Sequence, residues 1–240
     1  MAYSPKAIKE AYDEIAAKED GFEKRFSLRN EIPREFIKDY LRASDVVLDA
    51  GGGTGINAVI MAQRCRHVTL VDISPKILEQ AAVNIRKAGL TDKIRLIEGD
   101  IANLKQLGNG EFTFVVCVGG SLSYVLERGP VAIQELVRVA KEGSILIVGC
   151  DGKYGFVRWL VSQGQWEAAR KVYEANQYEA GEGAYARLYT AAELKGLLQE
   201  AGCDVIEMAS SPVLESAWDQ SAYAEEEQKQ LKILQLELEI

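Results

Sequence analysis

Short apolar runs alternate along this chain with stretches of helical spacing. The runs 46–48, 68–71, 94–97, 112–118 and 144–150 are rich in Val, Ile, Leu and Phe and carry little polar alternation. That pattern predicts strands, the first of them buried and the fourth buried on both faces, as in a parallel sheet. Between them, Ile56, Val59, Ile60 and Met61 recur at helix spacing up to about residue 64. Ile77, Leu78, Ala81, Ala82 and Ile85 do so up to Gly89, and a further helix is predicted over 130–140. Ser74-Pro75 caps the second of these, and Lys141-Glu142-Gly143 turns into the fifth strand.

The flanks read differently. Residues 1–45 predict two helices, one opening at Ser4-Pro5 with Ile8, Ala11, Tyr12, Ile15 and Ala16 on its apolar face. The other runs over about 33–42 with Phe36, Ile37, Tyr40 and Leu41. Residues 151–183 are too long for a strand-to-helix connection. They carry Tyr154, Trp159, Trp166, Tyr173, Tyr178, Arg158 and Arg170 and predict a mostly helical insertion. Thr190 with Glu193 forms a capping box for a helix ending at Ala201-Gly202, and 203–208 predicts a sixth strand. In the tail, Leu231, Leu234 and Leu238 fit a helix, the preferred reading. Leu234, Leu236, Leu238 and Ile240 alternate as a seventh strand would. We divide the chain into an N-terminal helical lid (1–45), an α/β core (46–150), a helical cap (151–184) and the remainder of the core with the tail (185–240), all one domain.

Composition narrows the function. The 240 residues carry a net charge of −8, which gives no general attraction to a phosphate backbone, so nucleic acid is not expected as a partner. No run approaches the length of a membrane span and the N-terminus reads as no signal peptide, so neither a membrane nor export is expected. The four cysteines are far apart, as in a reduced cytoplasmic protein, and with one histidine (His67) no metal site is expected.

The chemistry concentrates in Val46-Val47-Leu48-Asp49-Ala50-Gly51-Gly52-Gly53-Thr54-Gly55. A strand turning through glycines into a helix brings backbone close to a ligand and offers unpaired N–H groups. It has no P-loop lysine. A dinucleotide fingerprint fits only from Gly53 and Gly55 with Ala58 as third member, so NAD stays open on the glycines alone. Asp49 would repel a pyrophosphate and suit a cationic ligand. Asp72, ending the second strand, can accept from both ribose hydroxyls.

At this point the sequence resembles the class I S-adenosylmethionine (SAM)-dependent methyltransferases. Asp49 with Gly51, Gly53 and Gly55 matches their first motif. Asp72-Ile73-Ser74-Pro75-Lys76-Ile77-Leu78 matches the second, and Gly99-Asp100-Ile101 follows the third strand. The resemblance covers about residues 45–210. It implies a Rossmann-like doubly wound, mostly parallel sheet with helices on both faces, an N-terminal helical segment and a helical insertion after strand 5. The implied cofactor is SAM, leaving S-adenosylhomocysteine as product. Asp49 and the glycines would hold its methionine part, Asp72 its ribose, and Ile73, Asp100 and Ile101 its adenine. Val118 and Gly119 would face the methyl group, and Tyr12 and Arg29 would reach the cofactor from the lid.

After strand 4 the chain reads Gly119-Gly120-Ser121-Leu122-Ser123-Tyr124. This is neither the Asn/Asp-Pro-Pro-Tyr of amino-directed nucleic-acid enzymes nor the Asp of metal-dependent catechol-type ones, and it looks like small-molecule methyltransferases. Ser121, Ser123 and Tyr124 are candidate substrate contacts. The sulfonium is a good leaving group, so no obligatory catalytic residue is expected. Tyr124, Asp151 and Tyr154 are the candidate bases, and His67 lies at the wrong end of its strand. The expected function is methyl transfer to a small molecule. The alternatives are a protein or RNA acceptor, a non-catalytic SAM-binding scaffold, and an NAD-dependent oxidoreductase. Oligomeric state stays open.

Overall fold

The computed structural model describes residues 2–24, 28–181 and 183–209. Five parallel strands form its sheet: β1 (Val46–Ala50), β2 (His67–Asp72), β3 (Ile94–Glu98), β4 (Phe112–Cys117) and β5 (Ala140–Val148), in the spatial order β3-β2-β1-β4-β5. Strand pleating sends alternate side chains to opposite faces. Leu48, Ala50, Val115 and Cys117 pack on one face with Ile133 and Leu136 of helix α6 (Gly129–Val139). Val47, Val68, Leu70, Phe114 and Val116 pack on the other. Their partners there come from helices α2 (Leu28–Tyr40), α3 (Ile56–Ala62) and α4 (Pro75–Lys87). Two apolar faces explain why these strands read as unbroken hydrophobic runs.

Helix α1 (Pro5–Lys24) starts at Pro5 as expected, while α2 starts at Leu28 and holds Pro33 inside, not at its start. Short helix α5 (Ser121–Tyr124) follows β4. After β5 come α7 (Lys153–Ser162) and α8 (Trp166–Ala175). The insertion is not helical throughout: it ends in an antiparallel hairpin, β6 (Gln177–Gly181) and β7 (Ala184–Arg187). Helix α9 (Ala191–Glu200) carries the full capping box of Thr190 and Glu193.

The sixth strand expected over 203–208 is absent: 203–209 is irregular. Among the described residues β5 is the edge strand of the sheet, and it and this segment line a groove of about 840 Å³. Strand formation needs a neighbour about 4.8 Å away, which local β-propensity cannot supply. The tail 225–240 lies outside the described residues. Among those residues no helix is long and apolar enough to cross a membrane, and the four cysteines form no disulfide. Burial pushes the Cys117 and Cys150 thiols up to about 12, which keeps both protonated and unreactive at neutral pH.

Tyr189 is 1% exposed and packs its hydroxyl against Gly129, where a Cβ would lie 2.3 Å away; that hydroxyl has no partner among the described residues. Burying a polar group without a hydrogen bond costs stability. Tyr189→Phe is therefore expected to hold or raise unfolding free energy by about 1 kcal/mol in urea denaturation. A clear loss would show that the hydroxyl is bonded.

Candidate active site

β1 pairs with β2 on one side and β4 on the other, so the chain leaves its two neighbours in opposite directions. This is the switch point of a doubly wound sheet, and a crevice opens there at the carboxyl ends of the strands. The crevice is a cavity of about 270 Å³. Its floor is the glycine turn. Gly51 and Gly52 donate to Val71 O (2.7 and 3.1 Å), and Gly51, Gly53 and Gly55 all have positive φ. A Cβ on Gly52 would lie 2.6 Å from the Leu70 side chain and 2.8 Å from the Asp49 carboxyl carbon, so the turn passes too close to β1 and β2 for a side chain.

Three carboxylates stand in a row across the strand ends, one per strand. Asp49, in β1, is 2% exposed. Asp72 ends β2; its Oδ2 accepts from Gly53 N–H and its Oδ1 from Ser74 N–H, both at 3.0 Å. Asp100 follows β3, with Oδ1 accepting from Ala102 N–H at 2.8 Å. Neighbouring strands lie about 4.8 Å apart, so an extended ligand would meet these acids in succession. Ile73, Ile101, Val118, Gly119, Ser121 and Tyr124 complete the lower wall.

Helix α1 forms the upper wall with Ile8, Tyr12 and Ile15. Asp13 Oδ1 accepts from Ser74 Oγ (2.6 Å) and Lys76 N–H (3.3 Å), Lys9 pairs with Glu98 at the end of β3, and Tyr3 N–H donates to Glu127 (3.0 Å). Burial and the adjacent Asp100 carboxylate hold the Tyr3 hydroxyl well above the usual tyrosine range. Tyr12 packs edge-on against Tyr124, ring centroids 5.3 Å apart. From α2, Asn30 and Arg34 reach the cavity, and so does Asn57 in α3.

Most of the residues singled out by sequence meet here: Tyr12, Asp49, Gly51, Gly53, Asp72, Ile73, Asp100, Ile101, Val118, Gly119, Ser121 and Tyr124. Four do not. Gly55 is turned away by its positive φ, where a Cβ would meet Ala81 at 3.3 Å, so it serves the packing of α3 on α4. Ser123 is fully buried and accepts from Asp151 N–H at 2.8 Å. Asp151 lies off the cavity, its carboxylate accepting from the Tyr178 hydroxyl of β6 at 2.9 Å. Tyr154 is 65% exposed, at the start of α7. The side chain of Arg29 lies outside the described residues. In the insertion Phe156 stacks on Tyr178 (4.2 Å) and meets Trp159 (5.6 Å), Lys153 covers the Tyr173 ring, and Tyr154, Trp159, Trp166 and Tyr173 are exposed. None of them lines the cavity. Tyr3, Asn30, Arg34 and Asn57 escaped sequence reasoning because they lie outside the motifs, on elements whose docking angle brings them in.

A glycine turn, a row of acids and an apolar rim fit a ligand that carries positive charge and a nucleoside. Residues 47–143 match the profile of a family described as methyltransferase domain. The chain is 35% identical to a tRNA1(Val) (adenine(37)-N6)-methyltransferase of Shewanella amazonensis over 32% of this chain and 34% of that one. It is 30% identical to a demethylmenaquinone methyltransferase of Leptospira interrogans over 64% of each. A SAM-dependent methyltransferase structure from Methanosarcina mazei superposes with a TM-score of 0.60 at 22% identity, covering 74% of this chain and 90% of that one. Residues 47–143 thus match a methyltransferase domain, and the sheet around them has the fold of SAM-dependent methyltransferases. Its matches span about a third to two thirds of the length of these curated relatives. SAM is the family's cofactor, and the cavity fits it on its own chemistry: the acids face the side where an ammonium, a sulfonium and ribose hydroxyls need acceptors. Among the described residues, no group of three or more His, Cys, Asp and Glu could hold a metal ion.

Proposed function

We propose that this methyltransferase moves a methyl group from SAM to a small-molecule nucleophile. The observation that carries the reading is the row Asp49, Asp72 and Asp100 across one cavity floored by Gly51–Gly53. In this reading Asp49 pairs with the ammonium beside Gly51 and Gly53, and Asp72 accepts from the ribose hydroxyls. Asp100 accepts from the adenine amino group between Ile73 and Ile101. SAM supplies the electrophilic methyl carbon on a sulfonium. The chain's part is positioning: Val118, Gly119, Ser121 and Tyr124 shape the acceptor side, and Tyr12 closes it from above. Tyr124 is the one candidate base on the cavity. The row of carboxylates argues against a pyrophosphate, and with it against an NAD-dependent reading.

Two features support a small acceptor. The net charge of −8 and the loop Val118-Gly119-Gly120-Ser121 both suit an uncharged or cationic molecule better than RNA. A cytoplasmic location is part of the same proposal and rests on the four free cysteines.

Calorimetric titration with SAM, S-adenosylhomocysteine and NAD tests the cofactor, and a screen of phenols, amines, acids and quinols under SAM tests the acceptor. Binding of the two adenosyl ligands but not NAD is expected. Binding of NAD alone would overturn the proposal, and turnover on RNA alone would overturn its acceptor.

A further inference from the structure

We infer that Arg34 is the residue that holds the α-carboxylate of the cofactor's methionine end. This rests on the SAM reading above and extends it to a residue on a different element. Among the described residues lining the cavity, Arg34 is the one cation, set against three carboxylates. SAM carries two cationic groups and one anion. Its cations have Asp49, Asp72 and Asp100 to face, whereas its carboxylate would be repelled by all three. The place in this cavity where a carboxylate gains energy is beside Arg34.

The side chain is also built for the task. It is 15% exposed, so its interactions are only partly screened by solvent. Nε donates to Asn57 Oδ1 at 3.1 Å, and Nη1 pairs with Glu31 one helical turn earlier. Asn57 sits in the first turn of α3, immediately after the glycine loop. Arg34 is thereby tied to the first turn of α3, the helix that the glycine loop enters. A guanidinium is planar and matches both oxygens of a carboxylate at once, and here two neighbours fix its plane before a ligand arrives.

The test uses two ligands that differ at this end only. S-adenosylhomocysteine has the amino-acid group; 5′-methylthioadenosine lacks it. Both are titrated calorimetrically into wild type, Arg34→Gln and Arg34→Lys, with thermal melts to check folding. Arg34→Gln is expected to weaken S-adenosylhomocysteine about 10- to 100-fold and to leave methylthioadenosine within about twofold, because a hydrogen bond to a charged group is lost from one ligand alone. Arg34→Lys should recover part of the loss, since it keeps the charge without the fork. Unchanged S-adenosylhomocysteine affinity in Arg34→Gln overturns the inference. So does an equal loss for both ligands, which would make Arg34 a support for the cavity as a whole. A wild type that binds neither ligand fails at the earlier step, the SAM reading itself, and is told apart by that.

Discussion

Asp72→Ala is expected to reduce affinity for S-adenosylhomocysteine about 100-fold or more, the largest loss of any single carboxylate change in the cavity. Asp72 is the last residue of β2 and is 9% exposed. Its two oxygens hold Gly53 N–H and Ser74 N–H at 3.0 Å, so one carboxylate joins the glycine turn to the start of α4. A ribose that reaches it meets an acceptor already fixed in place. Removing it takes two charge-assisted bonds from the ribose, each about 1.5–3 kcal/mol, and frees two backbone amides whose positions define the cavity floor. Asp72→Asn keeps one acceptor oxygen and loses the charge, so an intermediate loss is expected. Calorimetry on the three proteins checks the order. An Asp72→Ala variant that binds within about threefold of wild type would remove this residue from the site, since about 0.6 kcal/mol is less than one hydrogen bond to a charge.

Gly51→Ala is expected to cost about 3 kcal/mol of stability and to abolish cofactor binding. Two penalties add at this position. Its φ of +71° is costly for any residue with a Cβ, and that Cβ would lie 2.2 Å from Ser121 Oγ and 2.6 Å from Ser121 Cβ. Rotating the serine relieves the first contact and not the second, so the β4 loop must move away from the glycine turn. The two loops face each other across the switch point, and moving one reshapes the cavity between them. Gly89→Ala isolates the backbone penalty. Gly89 has nearly the same φ, +69°, with no atom within 4 Å of the added carbon, so a cost of about 1 kcal/mol is expected. Urea denaturation of both variants measures the difference. Equal losses would mean that the approach of Ser121 carries no energy.

The parts of this site that sequence could reach share a cause. Asp49, Asp72 and Asp100 are each placed by the strand they end or follow, and in a parallel sheet all strands deliver their carboxyl ends to the same edge. Three local motifs therefore become one site without further information. Strands β1, β2 and β4 were equally legible, since burial on both faces leaves an apolar run in the chain. The capping box at Thr190 was legible because its whole mechanism lies within four residues.

What escaped the sequence depends on contacts between distant segments. Asp151 ends the fifth apolar run as Asp49 ends the first, but the hairpin that follows α8 brings Tyr178 to its carboxylate and leaves it outside the cavity. Gly55 belongs to the same glycine motif as Gly51, and only the turn's geometry sends it toward Ala81. The expected strand over 203–208 pairs with no strand among the described residues, and a groove lies between it and β5. Arg34 and Tyr3 carry no motif at all, and they count because α1 and α2 dock across the strand ends at an angle set by Asp13, Glu98, Glu127 and Asn57. The sequence by itself determined the five strands of the sheet, the helices between them, and the acids and glycines at its edge, because periodicity and turn chemistry are local. Only the tertiary structure decided which side chains close over that edge, because docking depends on the packing of whole surfaces and leaves no periodic trace in the chain.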